Sequence, residues 1–173
     1  LVEPNGPLNV GSIARLCSNF DVNELRIVSP KCDIFSLDAK KMALKGHRYI
    51  DNCKIFNSIE HAIFDCDLVL ATCGRIDLSN DIECESPEDI SKWISSFVEI
   101  NNLGILFGRE DRGLSNNELL FAHKILNIKT SQNYPSLNLS HAVSIILYEL
   151  NKSSTNNLEK DLQVFDLASS KQI

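Results

Sequence analysis

The sequence has no apolar run near the roughly 20 residues that a membrane-spanning helix needs, and no basic leader followed by an apolar stretch. Its six cysteines form no C-x-x-C pair and follow no histidine spacing typical of zinc sites. These absences argue against a membrane protein, a disulfide-linked secreted protein and a zinc protein. We therefore expect a cytoplasmic protein with reduced thiols and no metal.

The sequence also lacks the positive net charge of proteins that hold nucleic acid through overall basicity. Its 17 Lys and Arg residues and 23 Asp and Glu residues give a formal net charge of −6. Residues 1–50 nevertheless carry seven basic residues against five acidic ones, and Lys40, Lys41, Lys45 and Arg48 lie close together there. This basic cluster is either a solvated surface or a contact face for an acidic partner.

The common nucleotide-binding motifs are missing. No G-x-G-x-x-G follows the first predicted strand, and no G-x-x-x-x-G-K-[ST] occurs in the chain. This argues against a Rossmann dinucleotide site and against a P-loop.

Short apolar segments alternate with amphipathic ones along the 173 residues, of which 43% are hydrophobic. Strands are predicted at residues 1–3, 25–28, 54–56, 68–72, 103–107 and 125–128. Helices are predicted after residue 8, over 36–44 and 58–65, from 87, from 116 and from 139. This alternation predicts an α/β fold with a parallel sheet covered by helices.

We expect one domain over residues 1–150 and a polar tail, or the start of an extension, over residues 151–173. The chain becomes polar and loses its periodicity after Asn151. Within the domain, Ser86 with Asp89 and Ser115 with Glu118 have the spacing of a capping box at a helix start.

The stretch of residues 134–150 predicts a polar loop that leads into a buried helix. Pro135 disfavours helix at the preceding residue, while Ser136 and Asn138 are residue types that cap helix starts. The helix would bury one face, formed by Leu139, Val143, Ile146 and Leu150. Taken alone, this pattern also fits an ordinary capped core helix.

Three predicted loops rich in small and polar residues follow strands, at residues 72–75, 108–114 and 131–137. Ligands of open α/β sheets bind at the carboxyl ends of the strands. The sequence therefore predicts a ligand site where these three loops meet.

Three ordered motifs in the chain resemble those of the SpoU/TrmH family of RNA ribose 2′-O-methyltransferases. They are Asn9-x-Gly11-x-x-x-Arg15, Phe107-Gly108-Arg109-Glu110-x-x-Gly113-Leu114 and Ser136-Leu137-Asn138-Leu139-Ser140-x-Ala142-Val143. The Gly-Arg-Glu form of the second motif and the Tyr-x-Ser-Leu-Asn-Leu run are most similar to the TrmJ type. That type modifies the first ribose on the 5′ side of the tRNA anticodon loop.

The resemblance implies a SPOUT α/β fold with a deep C-terminal trefoil knot, a homodimer, and S-adenosylmethionine bound through backbone groups. It assigns the cofactor to residues in the three loops already selected and to one residue between them: Thr72, Cys73, Gly74, Gly108, Ile128, Pro135, Ser136 and Leu137.

The resemblance also implies roles in catalysis. Arg15 is the family's candidate catalytic residue, but a guanidinium stays protonated, so gripping an RNA phosphate and stabilising the developing alkoxide suits it better than acting as a base. Asn9 would orient the same group, Ser136 would hydrogen-bond the reacting hydroxyl, and Asn138 would brace the loop. Glu110 is expected to tie loops together rather than to transfer protons.

The expected RNA substrate is tRNA, with the basic cluster of Lys40, Lys41, Lys45 and Arg48 as its contact face. Arg109 and Arg112 are expected to be solvated loop charges, although either could touch RNA. Two alternatives stay open: a methyltransferase acting on the wobble nucleotide or on rRNA, and a knotted RNA-binding or assembly module without turnover.

Overall fold

A computed structural model describes residues 1–74, 83–97 and 99–152. The strands are β1 (Arg26–Val28), β2 (Lys54–Phe56), β3 (Leu68–Thr72), β4 (Cys84–Glu85), β5 (Leu103–Leu106) and β6 (Lys124–Leu126). The helices are α1 (Pro7–Asn19), α2 (Leu37–Ala43), α3 (His47–Asp51), α4 (Ile59–Ile63), α5 (Pro87–Ile94), α6 (Asn116–Leu119) and α7 (139–152). Arg75 and residues 153–173 of the expected tail lie outside the described residues.

All the strands that pair are parallel, as the alternation of segments predicted. One sheet pairs β1 with β2, and a second has the order β4-β6-β3-β5. The segment at residues 1–3 lies between them: the Val2 amide donates to the Phe107 carbonyl, and the Glu3 amide donates to the Val28 carbonyl, both at 2.8 Å. The first predicted strand therefore joins the two sheets along one surface.

Helices cover both faces of this surface. Successive residues of β3 face opposite sides, and Leu70 belongs to one buried cluster while Val69 and Ala71 belong to the other. The cluster around Leu70 includes residues from α1, α2, α5 and α7, whereas the cluster around Val69 includes residues from α4 and α6. The predicted α/β architecture is thus confirmed.

Several boundaries differ from the predictions. Helix α1 starts at Pro7, inside the predicted turn, because proline has a suitable φ for the first helical position and needs no amide donor there. Strand β6 starts and ends earlier than predicted. At α5 the Ser86 hydroxyl accepts from the Asp89 amide and donates to the Asp89 carboxylate at 2.6 Å, so the predicted capping box is only half formed.

Glycines allow α1 and the segment around α2 to touch. A Cβ at Gly11 would lie 2.2 Å from the Ala39 carbonyl oxygen, and a Cβ at Gly46 would lie 2.7 Å from the Arg15 Cα. Neither position has room for a side chain. This close packing places the backbone between Lys45 and His47 directly against α1 at Arg15.

Candidate functional site: a cleft at the carboxyl ends of the strands

A cleft with about 860 Å³ of empty space, part of it open to solvent, lies at the carboxyl ends of β3, β5 and β6. All eight residues predicted to bind the cofactor line it: Thr72, Cys73, Gly74, Gly108, Ile128, Pro135, Ser136 and Leu137. The structure thus brings the three predicted loops together around one space.

The loop after β5 is a tight turn that depends on two glycines. A Cβ at Gly108 would lie 2.2 Å from the Gly113 carbonyl carbon and 2.3 Å from the Leu114 nitrogen. Gly113 has φ +68°, a backbone conformation that residues with a side chain rarely adopt. Its amide donates to the Arg109 carbonyl at 2.8 Å. The two ends of this loop are therefore in direct backbone contact.

The loop after β3 is held by hydrogen bonds to its neighbouring strands. The Thr72 hydroxyl donates to the Leu106 carbonyl at 3.1 Å, and the Cys73 amide donates to the Leu126 carbonyl at 2.8 Å. The Asn127 side chain donates to the Cys73 carbonyl at 2.7 Å. The sequence did not identify Asn127, because its partner lies 54 residues away in the chain.

The third wall is the loop before α7. Its backbone is held by the Thr130 hydroxyl, which donates to the Pro135 carbonyl at 2.9 Å. Asn138 rather than Ser136 caps the helix, since the Asn138 side-chain oxygen accepts from the Ser140 amide at 2.9 Å. The predicted capping role of Ser136 is therefore wrong, and its hydroxyl is exposed at the cleft.

A chain of hydrogen bonds connects the three motifs. The Glu110 carboxylate accepts from the Asn5 amide at 2.8 Å, the Gly6 amide at 3.0 Å and the Asn9 side chain at 3.1 Å. The Asn9 side-chain oxygen accepts from the Asn138 side chain at 3.1 Å. Glu110 thus ties the start of α1 to the loop after β5, and Asn138 ties α1 to the start of α7.

Arg15 lies on the exposed face of α1, two turns beyond Asn9. Within the described parts of the chain its guanidinium has no ion pair or hydrogen bond, and Arg15 does not line the cleft. His141 is likewise exposed and does not line the cleft. The structure therefore fixes the backbone of Arg15 relative to the cleft through α1, while the guanidinium remains available to a partner.

The two arginines of the second motif, predicted as solvated loop charges, are partly exposed but paired with carboxylates. Arg109 forms two bonds with Asp111, at 2.6 and 2.8 Å. Arg112 forms two bonds with Glu118, at 2.8 and 2.9 Å, and one with Glu3 at 2.9 Å. These carboxylates offset both positive charges beside the cleft, so neither arginine is a free anion-binding group.

The Arg112 guanidinium lowers the pKa of the Glu118 carboxyl to about 2, against an ordinary value of 4.5. A lowered folded-state pKa adds stability that is fully present above pH 4.5 and is lost as the pH falls toward 2. We expect the urea midpoint of the unchanged protein to fall between pH 5 and pH 3, and to fall less in Glu118→Gln. Equal falls in both proteins would contradict the assignment of this ion pair.

Within residues 1–74, 83–97 and 99–152, no helix is long and apolar enough to cross a membrane. In the same part of the chain, no group of three or more His, Cys, Asp and Glu side chains is arranged to hold a metal ion. The cleft is lined by small and apolar residues together with the charged residues 109–112.

A parallel α/β sheet with a cleft at the carboxyl ends of its strands is the architecture of many small-molecule-binding enzymes. The sequence profile of the SpoU rRNA methylase family matches residues 1–148. The chain belongs to this family, which confirms the resemblance seen in the three motifs and the predicted enzyme class, a methyltransferase.

The tRNA (cytidine-2′-O-)-methyltransferase TrmJ of Methanocaldococcus jannaschii is 39% identical over 165 residues, covering 95% of this chain and 71% of the relative. The crystal structure of TrmJ from Z. mobilis ZM4 superposes with a TM-score of 0.80 at 30% identity, covering 89% of this chain and 68% of that one.

A more distant structure shares the fold alone. The SpoU methyltransferase AviRb from Streptomyces viridochromogenes, in complex with AdoMet, has a TM-score of 0.68 at 18% identity, over 89% of this chain and 56% of that one. The cofactor bound in that complex is the one predicted for this chain from its motifs.

Proposed function

We propose that the protein transfers the methyl group of S-adenosylmethionine to a ribose 2′-hydroxyl of tRNA. The observation that carries this proposal is the convergence of all eight predicted cofactor residues on one cleft. The similarity to a tRNA (cytidine-2′-O-)-methyltransferase over 95% of the chain supports both the reaction and the RNA substrate.

The cleft fits the cofactor chemically. Leu137, Leu139 and Ile146 give it an apolar wall suited to adenine, and the backbone at Gly74 and at residues 136–137 offers hydrogen-bonding groups. At Gly74 a Cβ would meet no heavy atom of the described residues within 4 Å, and we propose that a ligand approaches the main chain there. When bound, S-adenosylmethionine supplies the methyl group and its own leaving group.

The protein's own residues then have to position the ribose. Ser136 is exposed at the cleft, where its hydroxyl can hydrogen-bond the reacting 2′-hydroxyl. The Arg15 guanidinium, which has no partner in the described part of the chain, is suited to an RNA phosphate and to the developing alkoxide. Asn9 and Asn138 are bonded to each other and hold α1 against the start of α7. We propose that this contact lets the Arg15 guanidinium and the Ser136 hydroxyl act on one substrate.

The basic cluster extends this phosphate-binding surface. Lys45 precedes Gly46, whose backbone lies against Arg15, so the two cations lie on adjoining elements. Lys40 is paired with Asp51 at 3.1 Å, and Arg48 stacks on Tyr49 at 5.1 Å. Lys41 and Lys45 have no such partner among the residues that the structure describes, and we assign them the larger share of RNA contact.

Within tRNA, we propose the first anticodon-loop nucleotide on the 5′ side as the target. This follows from the TrmJ-like form of the second and third motifs. Mapping of the methylated nucleoside by nuclease digestion and mass spectrometry tests this assignment. A methyl group at the wobble nucleotide, or on rRNA only, would contradict the proposed target while preserving the reaction.

We also propose a homodimer that brings α1 and α7 of the two copies together. Leu8 on α1 and Tyr148 on α7 are 52% and 56% exposed, and Ile145 is also exposed. The bond between Asn9 and Asn138 joins these two elements, and we assign their exposed apolar side chains to the dimer interface. We expect sedimentation at micromolar concentration to show a dimer, and Tyr148→Asp to shift it toward monomer. A monomeric unchanged protein would contradict the dimer.

The C-terminal knot belongs to the same proposal. Family membership and the match to TrmJ from Z. mobilis over 89% of the chain support it. Inside the described residues, α7 runs back against α5, where the Ser91 hydroxyl donates to the Glu149 carbonyl at 3.3 Å. A knot would hold the loops after β5 and before α7 together around the cofactor.

The reaction is tested by incubating the protein with S-adenosylmethionine labelled in its methyl group and with unmodified tRNA. We expect label in 2′-O-methylribose after digestion to nucleosides. RNA binding with no label transferred would instead identify the alternative, a non-catalytic RNA-binding module.

A further inference from the structure

We propose that Arg112 is a positioning residue that holds the loop of residues 108–114 in the form that accepts the cofactor. This inference rests on the proposed function, because it concerns binding of S-adenosylmethionine. Glu110 ties the same loop to the start of α1, whereas Arg112 ties it to α6 and to Glu3.

Arg112 connects three elements of the fold. Its Nη1 donates to Glu118 at 2.8 Å, and its Nη2 donates to Glu118 and Glu3, both at 2.9 Å. Glu118 belongs to α6, and Glu3 to the segment that joins the two sheets. One side chain in the cleft wall is thus bonded to two parts of the scaffold.

Both carboxylates are themselves fixed. Glu118 completes a capping box, since its carboxylate accepts from the Ser115 amide at 2.6 Å. Glu3 has φ +48°, a conformation that its backbone hydrogen bond to Val28 holds in place, and its carboxylate also binds Lys31 at 3.1 Å. The guanidinium therefore meets two rigid partners rather than two flexible surface chains.

The position of Arg112 in the loop makes this anchor relevant to the cleft. It precedes Gly113, whose backbone lies against Gly108, and both glycines line the cleft. Loss of the anchor would leave the turn held by the bond from the Gly113 amide to the Arg109 carbonyl and by the bonds that Glu110 accepts from the start of α1. The part of the loop next to Gly113 would then lose its attachment to α6 and to Glu3.

Lysine cannot replace this arginine fully. The guanidinium fork engages Glu118 through two nitrogens while keeping a bond to Glu3, whereas an ammonium is a single point charge without that fork. Arg112→Lys should therefore keep only part of the affinity for S-adenosylmethionine. An affinity between those of the unchanged protein and Arg112→Met separates positioning of the loop from simple compensation of the charges on Glu118 and Glu3.

The test is calorimetric titration of S-adenosylmethionine into the unchanged protein and into Arg112→Met, Arg112→Lys and Arg26→Met, well below the unfolding temperature of each. Arg26 is the matched control, because it also bonds two carboxylates, Glu24 and Asp65, yet does not line the cleft. We expect Kd to rise about tenfold in Arg112→Met, a value typical of coupled sites, and less in Arg112→Lys.

We expect Arg26→Met to lower the unfolding temperature while leaving Kd within about twofold of the unchanged protein. Unaltered binding in Arg112→Met, or equal weakening in Arg26→Met, would overturn the role of Arg112. If Arg112→Met does not fold, unaltered binding in Arg112→Lys overturns it instead. Absence of binding by the unchanged protein would overturn the proposed function itself.

Discussion

Replacing Arg15 by alanine should reduce the rate of methyl transfer by about 10²-fold to 10³-fold, the range found when one preorganised charge-stabilising donor is removed. The reason is chemical, since the guanidinium is the cation proposed to face the phosphate and the developing alkoxide. Because Arg15 does not line the cleft, binding of S-adenosylmethionine should stay unchanged. Single-turnover rates and calorimetric titration measure the two effects separately.

The neighbouring Lys45→Gln is the matched control for this experiment. Lys45 adjoins α1 but is proposed to contact RNA only through a phosphate, so its loss should raise KM for tRNA several-fold and spare the rate at saturation. Full activity in Arg15→Ala would remove Arg15 from the chemistry. If Arg15→Ala raises only the KM for tRNA, Arg15 has the same role as Lys45, which is contact with an RNA phosphate.

Replacing Gly108 by alanine should have the second large effect, on the fold of the cleft. The added methyl group would lie 2.2 Å from the Gly113 carbonyl carbon, a backbone atom that cannot rotate away. We expect the unfolding free energy to fall by about 3 kcal/mol. Binding of S-adenosylmethionine should become too weak to measure. Thermal denaturation should show a fall in Tm of roughly 10 °C.

Gly74→Ala is the steric control, because a methyl group there would meet no heavy atom within 4 Å among the residues that the structure describes. Its unfolding free energy should stay within about 1 kcal/mol of the unchanged protein. A Gly108→Ala variant as stable as Gly74→Ala would show that the loops do not approach as closely as the structure describes.

Much of the candidate site follows from local sequence. Strand β3 is an uninterrupted apolar run and the segments around β5 and β6 are short and apolar, so the loops that follow them could be located and placed at one edge of a parallel sheet. The family resemblance then selected the cofactor residues. The burial of Leu139, Val143 and Ile146 on α7 follows in the same way from their spacing.

Elements with no local signal were missed. Strand β4 has two residues and therefore no periodicity to detect. Helix α3 has five residues, lacks a side-chain cap and directly follows a 3₁₀ turn. The sequence therefore carries no signal from which its start could be predicted.

Contacts between distant residues were also beyond the sequence. Arg112 and Glu3 are 109 positions apart, so their bond depends on how the chain folds back. Read alone, Arg112 is one charged residue in a polar loop. Its bond to Glu3 forms because the fold places residues 1–3 beside the end of β5.

The most direct measurement of the central claim uses tRNA transcripts in which one nucleotide carries 2′-deoxyribose. With S-adenosylmethionine labelled in its methyl group, the ordinary transcript should gain one methyl group per tRNA, on ribose. The transcript with 2′-deoxyribose at the first anticodon-loop nucleotide should gain none, and one with the substitution at the neighbouring nucleotide should be modified normally. Label on a base, or equal label in all three transcripts, would contradict 2′-O-methylation at this site.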